Sequence, residues 1–202
     1  MEENRDNFRK WLWALFYIHL AGLALTALAF LSMLLPFSVG GWYTWARRAV
    51  NLGIVVCLYL LSGRYRLSSM VMALGLLCGL LTGLLNSWLR IPVQTLMPIS
   101  VVLSRASTVL ALVALFLEYT AHAKTVPADR NKWHIFLACR LAVTLLSTVG
   151  VALLQPVMSQ MVNRGETWLM ELWNVLAWPL NLATGVIYLV LLHRAIHVRE
   201  KE

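Results

Sequence analysis

The sequence predicts an all-α integral membrane protein, a polytopic bundle of about six transmembrane helices with both termini in the cytoplasm. Of its 202 residues, 60% are hydrophobic and 13% are charged, whereas an average soluble domain is about 25% charged. The apolar residues gather in six runs, and the basic residues are divided unequally among the intervals between them. That much apolar surface would leave large exposed patches in water, and a hydrocarbon solvent removes this difficulty.

The six runs are predicted to form one transmembrane domain over residues 1–202. Because a helix rises about 1.5 Å per residue, about 20 residues cross a hydrocarbon core of about 30 Å. Five runs reach that length. The second reaches it if its flanks join the helix, and the alternative is a re-entrant or interfacial segment. The first is too long for the apolar part of a signal peptide, so we expect a retained helix. The spans are about 11–35, 48–63, 68–89, 97–119, 133–156 and 167–193.

The basic residues predict the orientation of these spans. Cytoplasmic loops carry an excess of Lys and Arg. With the amino terminus inside, eleven basic residues face the cytoplasm and four face outward. An even number of spans then returns the carboxyl terminus to the cytoplasm. The compact loops and the charge bias are typical of a protein of the bacterial cytoplasmic membrane. The inner residues are Arg5, Arg9, Lys10, Arg64, Arg66, Lys124, Arg130, Lys132, Arg194, Arg199 and Lys201; the outer ones are Arg47, Arg48, Arg90 and Arg164.

The formal net charge of +8 does not indicate nucleic-acid binding. The basic residues are spread over short loops and form no compact stripe interleaved with aromatic residues. Topology and contact with anionic lipid explain the excess. We therefore expect the lipid bilayer, and no nucleic acid, as a partner.

Span three carries a row of small residues spaced by four: Gly75, Gly79, Gly83 and Ser87. In a helix these positions share one face, and small residues let another helix approach closely within a membrane. The row therefore predicts a tight helix contact. We favour a partner helix in the same chain; the alternative is a homo-oligomer or a partner membrane subunit.

Ionisable residues inside a membrane indicate functional sites because hydrocarbon solvates them poorly. Arg105 lies within span four, at the depth of polar residues near the outer ends of other spans. A guanidinium forms paired bonds to carboxylate or phosphate, so we predict a pocket for a small anionic ligand. The alternatives are a structural ion pair with Glu171 and a side chain that snorkels to the outer head groups. The predicted ligand-binding residues are Arg105, Glu171, Asn174, Asn86 and Arg90.

A second polar group lies toward the cytoplasmic side. It contains two pairs spaced by four residues, so each pair projects from one helix face. Imidazole and carboxylate groups could bind a transition metal or relay protons. The alternative is that Glu118 pairs with Arg140 and the histidines lie at the wet boundary. The candidate proton or metal residues are His19, Glu118, His122, His193 and His197.

Pro179 interrupts span six and predicts a kink, because proline removes one helical hydrogen bond. The freed carbonyl needs a partner or lines a cavity. Asn174 and Asn181 flank it, so the kink marks either a ligand cavity or a purely structural bend.

No motif nominates an enzyme or a cofactor, since the chain contains no H-E-x-x-H, no G-x-S-x-G and no Walker loop. The favoured function is a small-molecule or ion transporter, or the membrane-embedded substrate-binding subunit of one. Size and layout are similar to those of the binding subunits of energy-coupled vitamin importers, a likeness of architecture without a shared motif. The alternatives are a non-catalytic scaffold or accessory subunit that packs through the glycine row and, third, a lipid-modifying enzyme.

Overall fold

The computed structural model is built of helices and describes residues 2–35, 40–88, 93–164 and 168–198. Long helices form because the apolar runs hold few helix breakers and backbone groups in hydrocarbon must bond within their own segment. A single 3-10 turn, Pro127–Asp129, joins the fourth and fifth helices. The helices are α1 Glu2–Leu34, α2 Trp42–Leu61, α3 Gly63–Trp88, α4 Val93–Thr125, α5 Arg130–Asn163 and α6 Trp168–Val198.

Each predicted span corresponds to one helix, and most helices continue beyond the apolar run. α2 begins at Trp42, so the flank that holds Arg47 and Arg48 joins the helix and brings it to 20 residues. α4 continues to Thr125, into residues expected to form a loop. Helical hydrogen bonds do not require apolar side chains, and long basic side chains can reach water from a helix end.

Five stretches within the described residues are long and apolar enough to cross a membrane. The predicted fifth span, 133–156, which lies within α5, is not among them. Large apolar side chains such as Leu74, Leu77, Val102 and Val109 are exposed, as expected for a surface that meets lipid. These features fit a multi-pass membrane protein. The five stretches are Asn7–Ser32, Trp42–Leu61, Gly63–Leu85, Met97–Thr125 and Leu176–Val198.

The six helices form a closed ring, in which each packs against the next along the chain and α6 packs against α1. The start of α1 lies beside the end of α6, where the ring centroids of Trp13 and His193 are 5.8 Å apart. At the same end Arg64, near the start of α3, donates a hydrogen bond to the carbonyl of Lys124 in the last turn of α4 (3.3 Å). Successive helices therefore alternate in direction.

Tight packing is concentrated at that end of the ring, which we call the closed end. Leu15, Leu58, Tyr65, Trp133 and Leu192, from five different helices, are each 0% exposed there. Burial of these large side chains joins the helices through dispersion contacts, which replace the hydrophobic effect inside a membrane. The ring is thus anchored at one end.

The glycine row of α3 packs against α4 of the same chain at its first two members. The Ser107 hydroxyl of α4 donates to the Gly75 carbonyl (2.8 Å). A Cβ atom at Gly75 would lie 3.3 Å from the Cβ of Leu110, and one at Gly79 would lie 3.6 Å from Ser107 Oγ. A Cβ at Gly83 would instead meet Arg48 of α2 at 3.0 Å. The side chain of Ser87 lies outside the described residues.

Candidate functional site

A cavity of ≈ 560 Å³ lies inside the ring, and all six helices contribute to its lining. Its volume falls in the range of about 300–1,000 Å³ that is usual for small-molecule sites. Part of the wall is apolar, formed by side chains such as Leu23, Ile54, Leu76 and Leu115. The polar and charged groups that matter for its chemistry include His19, Arg47, Glu118, Arg140, Asn181 and Tyr188.

Arg140 enters the cavity from α5, ten residues and roughly 15 Å past the start of that helix. Its Nη1 donates to the Thr184 hydroxyl and lies 3.5 Å from the Asn181 carbonyl oxygen. Its Nε is buried without a hydrogen-bond partner. No carboxylate of the described chain lies within ion-pair distance of this guanidinium. Among the described residues, the groups that contact this cation are neutral, although a buried charge normally requires an opposite charge.

Arg47 enters from α2, closer to the opposite end of the ring. Its Nη1 donates to the Thr26 hydroxyl at 2.7 Å, and Thr26 donates in turn to the Gly22 carbonyl at 2.9 Å. Thr26 is thereby oriented as an acceptor that positions the guanidinium. The part of the chain that the structure describes offers no carboxylate to Arg47 either.

Glu118 lies at the floor of the cavity, toward the closed end, and is 6% exposed. The Tyr188 hydroxyl donates to its Oε1 at 2.6 Å. The Nε2 atoms of His19 and His122 each lie 3.7 Å from the same oxygen. The carboxylate is thus held by a hydroxyl and two imidazoles, and it makes no ion pair with Arg140.

The five candidate proton or metal residues fall into two places. His19, Glu118 and His122 meet inside the ring, whereas His193 and His197 contact each other on the exposed face of α6, with ring centroids 4.1 Å apart and planes inclined by 36°. Among the described residues, no group of three or more His, Cys, Asp or Glu is placed to hold a metal ion.

Among the residues predicted to bind a ligand, the structure describes the side chain of Arg105. Arg105 is exposed on α4 and is absent from the cavity lining. Arg90 lies outside the described residues. The backbone is described for the other three, Asn86, Glu171 and Asn174, but their side chains are not. The ligand role predicted for this set remains a prediction.

Sequence reasoning missed both arginines of the cavity. Arg47 was counted among the charges that set topology because it precedes an apolar run. Arg140 was considered only as a partner for Glu118, although a lone cation in the middle of a span was the signal that could have identified it.

Pro179 lies within α6 and is exposed, and the kink expected there stays a prediction. Its neighbours Trp178 and Asn181 line the cavity. The Asn181 side-chain amide donates to the carbonyl of Ala177 (3.0 Å). The proline therefore lies beside the cavity wall, next to an amide that interacts with backbone.

No protein-family model, curated protein or solved structure matches this chain. The chemistry of the cavity is therefore inferred from its own residues. It combines arginines that lack a carboxylate within the described chain, an acid held by a hydroxyl and two imidazoles, and apolar walls between them. Such a lining can bind a molecule that is partly apolar and carries negative charge.

Proposed function

We propose that the protein binds a small organic anion inside the membrane, as a transporter or as the membrane-embedded substrate-binding subunit of one. The observation that carries the proposal is the pair of cavity arginines, Arg47 and Arg140, whose described contacts are neutral. Guanidinium groups bind carboxylate or phosphate through paired, charge-assisted hydrogen bonds. An anionic ligand would supply the opposite charge that a cation in hydrocarbon requires.

The rest of the cavity favours an organic anion over an inorganic one. Leu76 and Leu115 line its wall, and Trp178 adds an aromatic surface next to Pro179. An inorganic anion would use the arginines and leave these apolar surfaces without a partner. A ligand with an apolar body and one anionic group uses both features of the lining.

We also propose that α5 crosses the membrane and so brings the number of spans to six, which places both termini in the cytoplasm of a bacterial cell. The contact of Trp13 with His193 and the alternating directions of the six helices support an even number of crossings. The excess of Lys and Arg at this end supports the cytoplasmic side. A binding site enclosed by spanning helices is the usual arrangement in secondary transporters.

The structure lends less support to the scaffold alternative. Gly75 and Gly79 already pack against Ser107 and Leu110 of α4. A partner helix could use this face only by displacing α4 from the ring, so transport or ligand binding remains the proposed function.

The proposal is tested by thermal unfolding of purified protein with a panel of small carboxylates and phosphate monoesters. Amines of the same size serve as ligand controls. We expect at least one anion to raise the unfolding midpoint of the wild type, because a ligand at 100 times its Kd stabilises by about 2.7 kcal/mol. Arg140→Gln removes the cation and should abolish the shift.

Arg105→Gln is the matched control, because it removes an exposed arginine from α4. It should keep the full shift. An equal shift in Arg140→Gln, or stabilisation by amines alone, would contradict the proposal. Exchange of the stabilising anion across vesicles that contain only this protein would then identify a transporter, whereas binding without exchange would identify a binding subunit.

A further inference from the structure

The hydrogen-bond donors around His122 can be assigned from its neighbours. The Thr125 hydroxyl donates to the Ala121 carbonyl at 2.8 Å, and a carbonyl can only accept. Thr125 Oγ1 therefore accepts the Tyr65 hydroxyl hydrogen, at 3.2 Å. Because a tyrosine has one hydroxyl hydrogen, a Tyr65 that donates to Thr125 accepts from His122, so the bond of 2.9 Å between them belongs to the tautomer of His122 with its hydrogen on Nδ1.

This assignment leaves the other side of the ring short of a hydrogen. In neutral His122 the second nitrogen, Nε2, is an acceptor. It lies 3.4 Å from the Tyr188 hydroxyl and 3.7 Å from Glu118 Oε1. Tyr188 gives its single hydrogen to Glu118. Three buried acceptor atoms would thus share one hydrogen, an arrangement that costs free energy because buried acceptors need donors.

We propose that Glu118, His122 and His19 form a proton-binding site, and that the proton and the anionic ligand bind to the protein together. On protonation an N–H bond forms at His122 Nε2, the proton comes from water, and no group is oxidised or reduced. His19 Nε2, which is buried without a hydrogen-bond partner, offers a second position for the same proton. The imidazolium and the carboxylate then carry opposite charges.

The charges lining the cavity give the sign of the coupling. A guanidinium is a permanent cation, so the two arginines and the Glu118 carboxylate give the cavity and its floor a net charge of two positive when the cluster holds the proton and one positive when it does not. Loading the proton therefore strengthens anion binding, and by reciprocity the anion strengthens proton binding. His122 faces Glu118 from the same helix, and Tyr65 of α3 contacts His122. The titratable or charged groups that line the cavity with Glu118 are His19, Arg47, Tyr119, Arg140 and Tyr188.

The same hydrogen bonds connect the cluster to the closed end. They run from His122 through Tyr65 to Thr125, the last residue of α4. This chain of exchangeable hydrogens leads a proton away from the cavity, toward the partly exposed side chain of Thr125. An anion in the cavity would therefore not block exchange of the proton.

The proton site is tested without any anion, by nitrogen-15 NMR of histidine-labelled protein in lipid nanodiscs. The chain has five histidines, which single substitutions assign. At about pH 7 an ordinary imidazole has lost most of its second proton. We expect one ring of the cluster to carry hydrogen on both nitrogens and to lose that signal in Glu118→Gln.

His193→Gln and His197→Gln are matched controls outside the cavity and should keep the signal. Tyr188→Phe covers the case in which Glu118→Gln does not fold. It removes the one hydrogen that Glu118 receives, so the signal should persist to higher pH. Rings with a single hydrogen at both His19 and His122 in the wild type, or an unchanged signal in Glu118→Gln, would overturn the proton site.

The coupling rests on the proposed function and has its own measurement. For an anion found by the thermal panel, raising the pH should weaken binding by at most about tenfold per pH unit, the limit for one linked proton. The affinity of Glu118→Gln should not follow pH in this way. A wild-type affinity that does not change with pH would overturn the coupling. Absence of any anion that binds would instead overturn the proposed function and leave the NMR result standing.

Discussion

At the scale of single residues, small hydroxyl side chains connect α3 to its neighbours. Ser68 is buried and donates to the carbonyl of Ala114 in α4 at 2.7 Å. Ser69 donates to the carbonyl of Val55 in α2, also at 2.7 Å. Hydrogen bonds between membrane helices contribute on average about 0.6 kcal/mol. Their main effect is to fix the rotation of α3, which carries Tyr65 toward His122.

The glycine row gives a prediction at this scale. Gly75→Ala should lower the free energy of unfolding by about 1 kcal/mol, at the low end of the cost of overpacking, because its Cβ would lie 3.3 Å from Leu110 Cβ and 3.4 Å from the Ser107 carbonyl oxygen. Gly79→Ala is the control, since its nearest contact is 3.6 Å, to Ser107 Oγ. Unfolding curves in detergent measure both. Equal stability of the two variants would contradict the close approach of α3 and α4 at Gly75.

At the scale of helices, one acidic residue joins three elements at the closed end. Asp129 ends the 3-10 turn and is 5% exposed. Its Oδ1 lies 2.7 Å from the Lys132 ammonium of α5 and 3.8 Å from the Arg194 guanidinium of α6. The apolar pattern predicted each helix. It did not predict these ion pairs, because it carries no information on which helix ends lie close together.

Asp129→Asn should therefore destabilise the protein by about 1 kcal/mol, the upper part of the range for exposed ion pairs. The Lys132 and Arg194 side chains are each about half exposed to solvent. Water screens their charges and so limits the loss of stability. Lys132→Gln is the control and should lose less, because Asp129 keeps Arg194. Unfolding at low and high salt measures the effect, and a difference between wild type and Asp129→Asn that grows with salt would contradict this assignment.

At the scale of the whole molecule, closure of the ring creates the cavity. Each of the six helices contacts the next. Residues such as Leu15 and Trp133 pack the ring at one end, and a space remains where smaller and polar side chains face inward. The sequence predicted the number and order of the helices. Their arrangement as a ring depends on contacts between α1 and α6, which lie at opposite ends of the chain.

The six-span topology predicts the sides on which three loop positions lie. In a variant without native cysteines, an impermeant maleimide applied to intact cells should label Gly41→Cys and Arg164→Cys. Ala128→Cys should react only after the membrane is opened. Labelling of Arg164→Cys on the same side as Ala128→Cys would show that α5 does not cross. Gly41→Cys is the control, because three apolar helices separate it from Ala128.

By itself the sequence determined the helical class, the positions of the apolar segments and the membrane as solvent, because these follow from composition and from runs of neighbouring residues. It also placed His19, Glu118 and His122 at a common depth, because depth follows from helical rise along each span. Helix ends were less predictable, since α4 continues through polar residues to Thr125.

Only the tertiary structure decided which polar groups share a cavity. Arg47 and Arg105 are both arginines beside apolar residues, yet one lines the cavity and the other is exposed on α4. The same holds for the four candidate histidines: His19 and His122 lie inside the ring, whereas His193 and His197 are exposed on α6. The physical reason is rotation about the helix axis: depth follows from position along the chain, whereas the direction of a side chain depends on how each helix packs against its neighbours.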